Sequence, residues 1–268
     1  MRTPPTTPSA FFAGIAQSPL QFGEHAGRAP LFFRDVDMMS GAFLCSLPAA
    51  RALMPTPRHE PLEVLPGKAV AVVHCIEYRD SDVGPYNEVA LSVLLDRHGA
   101  LPGLPGLATA LLGGELHAHI LDLPVDTEIA LQGGLVVFGY PKYLSKIAFC
   151  DDAQARVCEV RDRQTGALIL SIRGNAVSTQ STGAGCGRLD VMTLRTYPLK
   201  DGAALRTRMR LHRVEHGDVL LRGMTIKLGA HPRAATWRAL GLGNVLLYSR
   251  APRCEAILDV PELLGSAS

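Results

Sequence analysis

The sequence predicts a mainly β fold of the α+β type, in which a few peripheral helices accompany an antiparallel sheet. Most apolar runs are short, rich in Val, Ile and Leu, and separated by clusters of Gly, Pro and Asp. Helical spacing of apolar residues is confined to three short stretches. The 268 residues are 47% hydrophobic and 19% charged, which suffices for one large domain with a buried core. We expect a single domain over residues 21–268, preceded by an N-terminal extension over residues 1–20.

Eight runs have the length and composition of strands, and two of their connections have the composition of hairpin turns. Arg161–Gly166 and His216–Asp218 are short, polar and contain glycine, so we expect the strands on either side of each to be neighbours. The eight predicted strands are Ala69–Tyr78, Glu88–Leu95, Glu115–Leu121, Ala155–Arg161, Ala167–Arg173, Leu205–Val214, Asp218–Leu228 and Asn244–Asp259.

Helical and irregular segments are few. Helices are expected at Pro48–Met54, after the N-cap candidate Asp126, and at Arg233–Leu240. Irregular structure is expected in the first eight residues, at Pro102–Gly106, and at Ser178–Gly187, which is rich in Ser, Thr and Gly. The helices are therefore expected to decorate the sheet instead of forming the core.

The charge distribution and the apolar segments exclude several kinds of partner. A net charge of +2 with scattered arginines does not form a nucleic-acid surface. No run approaches the roughly 20 apolar residues of a membrane span. The stretch Ala10–Ile15 is too short for a signal peptide. We therefore expect a cytoplasmic protein that binds neither nucleic acid nor membranes.

No motif indicates a metal or a nucleotide cofactor. The six cysteines lie far apart without a Cys-x-x-Cys pair, and we expect reduced core residues. His117 and His119 share one face of a predicted strand, but without an obvious third ligand they are expected to be structural. The glycine pairs lack the spacing and the following lysine of a phosphate loop, and no Gly-x-Ser-x-Gly motif occurs. We expect no cofactor and no metal.

Lys142 is the first candidate for chemistry, because its neighbours in the sequence are apolar. It follows Leu135–Pro141, and no carboxylate occurs between Glu128 and Asp151. Burial disfavours the charged form of a lysine and leaves a neutral amine, which attacks carbonyl groups. The alternative is that only the aliphatic stem is buried and the ammonium reaches water, as in most lysines near apolar runs.

Two segments together resemble the acetoacetate decarboxylase superfamily. Gly84–Glu88 opens an apolar strand with a carboxylate, and Phe138–Lys142 places Tyr-Pro before the lysine. The strand around His117 and the later strands follow in the family's order over most of the chain. The resemblance implies an antiparallel β-cone or barrel, no cofactor and a homo-oligomer. It makes Lys142 the Schiff-base residue and Glu88 a carboxylate beside the reacting centre; acetoacetate decarboxylase is a known example of a lysine activated by its surroundings.

The resemblance also implies substrate-binding residues, with three departures from the family pattern. Tyr86 and Tyr140 belong to the two motifs. Tyr143 stands where the family has a second lysine, so desolvation alone must activate the Schiff-base lysine unless another cation reaches it. His74 lies where the family has a further acidic residue. Arg34 lies within two positions of the family's arginine for the substrate carboxylate.

The function that these residues favour is a lyase acting on a β-keto acid or a related oxo acid. Decarboxylation would proceed through a Lys142 imine and enamine. Two alternatives remain open. The same enamine could attack an aldehyde, as in divergent family members that catalyse aldol condensation and dehydration. A β-cone with an apolar interior could also bind a hydrophobic ligand without catalysis, with Lys142 as a vestige.

Overall fold

Strands dominate the chain, as the sequence predicts. The structure is a computed structural model that describes residues 9–96, 103–181 and 191–266. Its strands are β1 (Ser18–Phe22), β2 (His25–Ala29), β3 (Leu31–Ser46), β4 (Glu63–Leu65), β5 (Lys68–Ser81), β6 (Tyr86–Leu94), β7 (Glu115–Val125), β8 (Lys142–Asp151), β9 (Ala155–Asp162), β10 (Leu168–Asn175), β11 (Thr179–Ser181), β12 (Val191–Thr196), β13 (Leu199–Lys200), β14 (Ala203–Gly217), β15 (Met224–Leu228), β16 (Val245–Leu258) and β17 (Glu262–Ser266). Its helices are α1 (Leu47–Leu53), α2 (Leu104–Gly113), α3 (Glu128–Gln132) and α4 (Ala235–Leu240), with 3₁₀ turns at Ala10–Phe12 and Pro232–Ala234 and a π-helix at Gly133–Phe138.

Seven strands close into a barrel. Their order around it is β3, β5, β6, β7, β12, β14 and β16, which pairs again with β3. Six of these seven pairings are antiparallel, whereas β7 and β12 run parallel. The barrel that the family resemblance implies is thus confirmed, with one parallel contact in its wall.

The sheet divides at β7, and this division positions Lys142. The first part of β7, from Glu115 to Ala118, pairs with β12, and its last part, from Leu123 to Val125, pairs in parallel with β8. From β8 the strand order continues through β9, β10 and β15, which form a second sheet over the outside of the barrel. At the start of β8, one side chain therefore faces the barrel interior and the next faces the space between the two sheets.

The core follows the alternation of side chains along β5. Alternate residues from Ala69 to Cys75 face outward and pack against the second sheet and Trp237 of α4. The residues between them face the barrel interior. There they join two further apolar clusters, one around Tyr78 and one around Val70.

One of the two predicted hairpins forms and the other does not. Strands β9 and β10 pair antiparallel across Arg161–Gly166, as expected. The prediction for His216–Asp218 is wrong, because β15 pairs with β10 whereas β14 pairs with β16. After Gly217 the chain crosses to the second sheet, and a bridge between Leu220 and Tyr248 holds the crossing segment. Only Met224–Leu228 of the predicted strand is extended.

Two long strands, β3 and β8, were not among the predicted ones. In β3, Arg34 and Asp37 interrupt the apolar pattern, and register shifts between Phe33 and Val36 displace the alternation. Asp37 is nevertheless buried, because three arginines bind its carboxylate. Strand β8 begins at the lysine of the Tyr-Pro-Lys motif, in a segment for which no strand was predicted.

The helix predictions hold except in two details. Part of Pro102–Gly106, expected to be irregular, forms the start of α2, where a proline is tolerated because the first turn needs no N–H donor. Asp126 does not cap α3. Its carboxylate instead accepts hydrogen bonds from the backbone (2.8 Å) and the side-chain amide (2.9 Å) of Asn87 on β6.

The remaining predictions concern the irregular segments, the cysteines, membrane spans and metal sites. The first eight residues and most of Ser178–Gly187, with Cys186, lie outside the described residues. The five described cysteines are free and four are buried, whereas Cys150 is exposed, which corrects the expectation of a core residue there. Over residues 9–96, 103–181 and 191–266, no helix is long and apolar enough to span a membrane. The same residues contain no group of three or more side chains able to hold a metal ion.

Candidate active site

Lys142 lies at the end of the barrel interior, at the first residue of β8. The chain reaches it through the π-helix Gly133–Phe138, an element often found at functional sites, and through Gly139 in the left-handed conformation (φ 65°). The Lys142 N–H then donates to the Tyr140 carbonyl at 2.8 Å, and Lys142 pairs with Leu123 of β7. The side chain is only 8% exposed. Lys142 thus does not extend its ammonium into bulk water.

Glu88 is the partner of the Lys142 amine. Its Oε2 lies 2.7 Å from Nζ, and the Glu88 side chain is 9% exposed. Glu88 sits on β6 opposite Ile76 and so faces the barrel interior. The hydroxyl of Tyr78 donates to the other carboxylate oxygen at 3.3 Å. A carboxylate at this distance from an amine can accept its proton directly and return it later.

Three tyrosines surround this pair. Tyr86 stacks on Tyr78 with ring centroids 4.3 Å apart, and the Lys142 Nζ lies 5.6 Å from the Tyr86 centroid. The Tyr140 hydroxyl is within 2.7 Å of the Thr196 Oγ1. Burial raises the pKa of the Tyr140 phenol to about 12, and burial together with the Glu88 charge raises the pKa of Tyr78 above its ordinary value. These phenols therefore remain neutral hydrogen-bond donors beside the amine.

A small apolar cavity adjoins the amine. Its volume is about 30 Å³, and apart from Lys142 its described lining carries no charged side chain. A cavity of this size holds roughly one water molecule. A substrate therefore has to displace lining side chains. The apolar walls include Phe22, Leu31, Phe33, Ala130, Phe138 and Leu258.

Gly134 is a residue of the candidate site that was not predicted from the sequence. A Cβ at this position would lie 2.2 Å from the Lys142 Cδ and 2.7 Å from its Cε. The lysine stem therefore packs directly on the π-helix backbone, which only glycine permits. The signal in the sequence is the pair Gly133-Gly134, where Gly134 stands eight residues before Lys142, but a glycine pair alone does not indicate which side chain will pack on it.

Two predicted substrate-binding residues bind partners other than Lys142 and Glu88. Arg34 is bound to Asp82 and lies 3.7 Å from Asp80, with 41% of its side chain exposed. His74 faces the barrel interior one inward position beyond Ile76, and its Nδ1 is 2.8 Å from the Ser40 hydroxyl. Burial lowers the pKa of His74 to about 4, so its ring is neutral near pH 7.

Tyr143 points away from Lys142, because neighbouring residues of a strand face opposite sides. It belongs to the core between the two sheets, and its hydroxyl donates to Asp122 at 3.2 Å. The Arg233 guanidinium lies 4.2 Å from the centre of its ring. The structure thus brings together Lys142 with Glu88, Tyr86 and Tyr140 of the predicted site residues and places Tyr143 on the other face of β8.

Solved structures with the same fold include two acetoacetate decarboxylases. One superposes with a TM-score of 0.62 at 15% identity, covering 90% of this chain and 91% of that one. The enzyme from Legionella pneumophila gives 0.61 at 15% identity, with 89% and 88% covered. The enduracididine biosynthesis enzyme MppR, in complex with pyruvate, gives 0.59 at 14% identity, with 96% and 94% covered. These likenesses concern the fold.

Sequence comparison identifies the family. No curated protein sequence matches this chain significantly. The family model described as acetoacetate decarboxylase, however, matches residues 17–254, which contain both segments of the Lys142 and Glu88 site. The chain therefore belongs to the acetoacetate decarboxylase family.

Proposed function

We propose that this protein forms a Schiff base between Lys142 and a small oxo acid, and that it decarboxylates a β-keto acid through the resulting enamine. The observation that carries the proposal is the buried contact of 2.7 Å between the Lys142 Nζ and the Glu88 Oε2, beside an apolar cavity. A buried lysine amine with an adjacent carboxylate is suited to form an imine, because proton transfer to the carboxylate frees the nitrogen lone pair.

The first half of the reaction forms the imine. Glu88 accepts a proton from Lys142, and the neutral amine attacks the substrate's keto carbon to give a carbinolamine. Returning the proton to the hydroxyl group releases water and leaves a protonated imine. Tyr78, which donates to Glu88, keeps that carboxylate oriented toward the amine through these transfers.

The second half releases carbon dioxide. The bond between the α-carbon and the carboxylate breaks, and its electron pair moves into the iminium group to form an enamine. Protonation of that carbon and hydrolysis of the imine return the ketone and the free lysine. The uncharged walls favour this step, since a carboxylate held there is poorly solvated and its negative charge is lost as carbon dioxide leaves.

Condensation with an aldehyde is the second candidate. MppR, which shares the fold, has been solved with the condensation product of pyruvate and imidazole 4-carboxaldehyde. An enamine on Lys142 would attack an aldehyde carbon in the same way as it takes up a proton. The cavity of about 30 Å³ has to open for one small substrate and has to open further for an aldehyde beside it, which favours decarboxylation of a single substrate.

The test is to compare carbon dioxide release and condensation products from acetoacetate and longer β-keto acids, with and without an added aldehyde. Lys142→Arg should abolish both, because the guanidinium cannot form the imine. Lys146→Arg is the matched control, since Lys146 is exposed on the same strand. Condensation products without carbon dioxide would favour the aldolase reaction. Equal turnover by wild type and Lys142→Arg would contradict Schiff-base chemistry.

A further inference from the structure

The strand pairing that holds Lys142 is short. Strands β7 and β8 pair only over Leu123–Val125 and Lys142–Leu144, and the middle residue of the β7 segment is Pro124, which has no N–H to donate. The preceding segment is a π-helix followed by a left-handed glycine, not a regular element. Backbone hydrogen bonds alone therefore fix the start of β8 weakly. Side-chain contacts are therefore needed to hold Lys142 and its neighbours in place.

Asp122 supplies such a contact from the face of the sheet opposite Lys142. It precedes Leu123, the partner of Lys142, and its side chain is 7% exposed. Its Oδ2 accepts a hydrogen bond from the Trp237 indole N–H at 2.7 Å and another from the Tyr143 hydroxyl at 3.2 Å. One carboxylate oxygen thus joins β7, α4 and the residue that follows the lysine.

We infer that Asp122 is a positioning residue for Lys142. By binding Tyr143 and Trp237 it holds the first residues of β8 against β7, so that the Lys142 amine meets Glu88 on the other face. Its effect on turnover rests on the proposed function. Its effect on the position of β8 does not.

The charge of Asp122 matters to this role. Burial raises the pKa of its carboxyl to about 6, against the lowering effects of the Trp237 and Tyr143 hydrogen bonds and of the more distant Arg233 charge. A charged acceptor binds N–H and O–H donors about twice as strongly as a neutral one. Protonation therefore weakens both bonds, so Lys142 is held less firmly below about pH 6, even though the fold as a whole gains stability there because the buried charge is neutralised. An asparagine at this position imitates the protonated state at every pH.

The experiment compares wild type with Asp122→Asn, and uses Asp218→Asn as the matched control because Asp218 is exposed in a loop. Two readouts are needed. The first is the rate of borohydride-trapped adduct formation on Lys142 with acetoacetate, from pH 5 to 8. The second is amide hydrogen exchange of residues 142–144, which requires no turnover. Tyr143→Phe, which removes only the 3.2 Å bond, serves as a second variant.

We expect Asp122→Asn to slow adduct formation at pH 7.5 by roughly tenfold or more, with little change in the acetoacetate concentration that gives half the maximal rate. It should also remove an inflection near pH 6 that wild type shows, and speed exchange at residues 142–144 but not in β9. Tyr143→Phe should give a smaller effect of the same kind. Exchange and pH profiles like those of wild type would overturn the inference. If wild type forms no adduct at all, the proposed function fails, and exchange alone decides the role of Asp122.

Discussion

Adding one methyl group at Gly134 should displace Lys142 without unfolding the protein. The new Cβ would lie 2.2 Å from the Lys142 Cδ and 2.8 Å from its Cγ, whereas carbon atoms in contact are usually about 3.5 Å or more apart. The lysine stem must therefore move by about 1 Å. A misplacement of that size costs about a hundredfold in rate. The overpacking itself should cost about 1–3 kcal/mol in the free energy of unfolding, which a domain of this size tolerates.

The assay for Gly134→Ala measures the melting temperature and the rate of borohydride-trapped adduct formation on Lys142. Gly113→Ala is the control, because Gly113 lies in a helix and its Cβ would have no atom within 4 Å. We expect a folded Gly134→Ala protein with an adduct rate about a hundredfold lower, and a control equal to wild type. A Gly134→Ala protein that reacts at the wild-type rate would refute the packing of Lys142 on the π-helix.

Three further predictions concern charged groups. Glu88→Gln should lower the turnover number about 10²–10⁴-fold while the protein still folds, because an amide cannot accept the amine proton; steady-state kinetics would contradict this with unchanged turnover. Asp37→Ala should reduce the free energy of unfolding by about 2–3 kcal/mol, since the buried Arg156 loses its most buried carboxylate partner and keeps Glu77 and Asp151, which are more exposed; denaturant unfolding within 1 kcal/mol of wild type would count against it. Because the folded-state pKa of Asp122 is raised to about 6, its stabilising contribution is present at low pH and lost as pH rises through that value. The stability of wild type relative to Asp122→Asn should therefore fall by about 2 kcal/mol between pH 4 and 8, and a constant difference in chemical unfolding would contradict the shift.

The barrel strands in which side chains alternate regularly between the two faces of the sheet could be predicted from the sequence, because burial of one face imposes a period of two residues. β5 is the clearest case, with outward Ala69 and Cys75 and inward Tyr78. Strand β3 could not be predicted, since a bulge displaces the alternation of its side chains and the charge of the buried Asp37 is balanced by arginines from distant strands. Such compensation depends on residues far apart in the chain. No local pattern contains it.

The site was predicted in part for a similar reason. Lys142, Glu88, Tyr86 and Tyr140 lie in two short segments whose motifs carry the family resemblance. The role of Gly134 depends on a contact between the π-helix backbone and a side chain of the next strand. Such a contact cannot be recognised before the path of the chain is known.

Tyr143 was predicted to bind substrate only because it stands where the family has a second lysine, and that position does not show which way its side chain faces. Once β8 is extended from its first residue, side chains 142 and 143 must face opposite sides. The residue that replaces the family's second lysine therefore belongs to the core between the sheets, where Asp122 and Arg233 are its charged neighbours.

The most direct test of the account is to incubate the protein with acetoacetate or pyruvate, reduce with borohydride, and locate the added mass by peptide mapping. The account predicts one adduct per chain, on Lys142, whose amine adjoins the cavity beside Glu88. The other four lysines should remain unmodified. Adducts spread over exposed lysines such as Lys146, or none with any oxo acid, would contradict the central claim that Lys142 is an imine-forming residue.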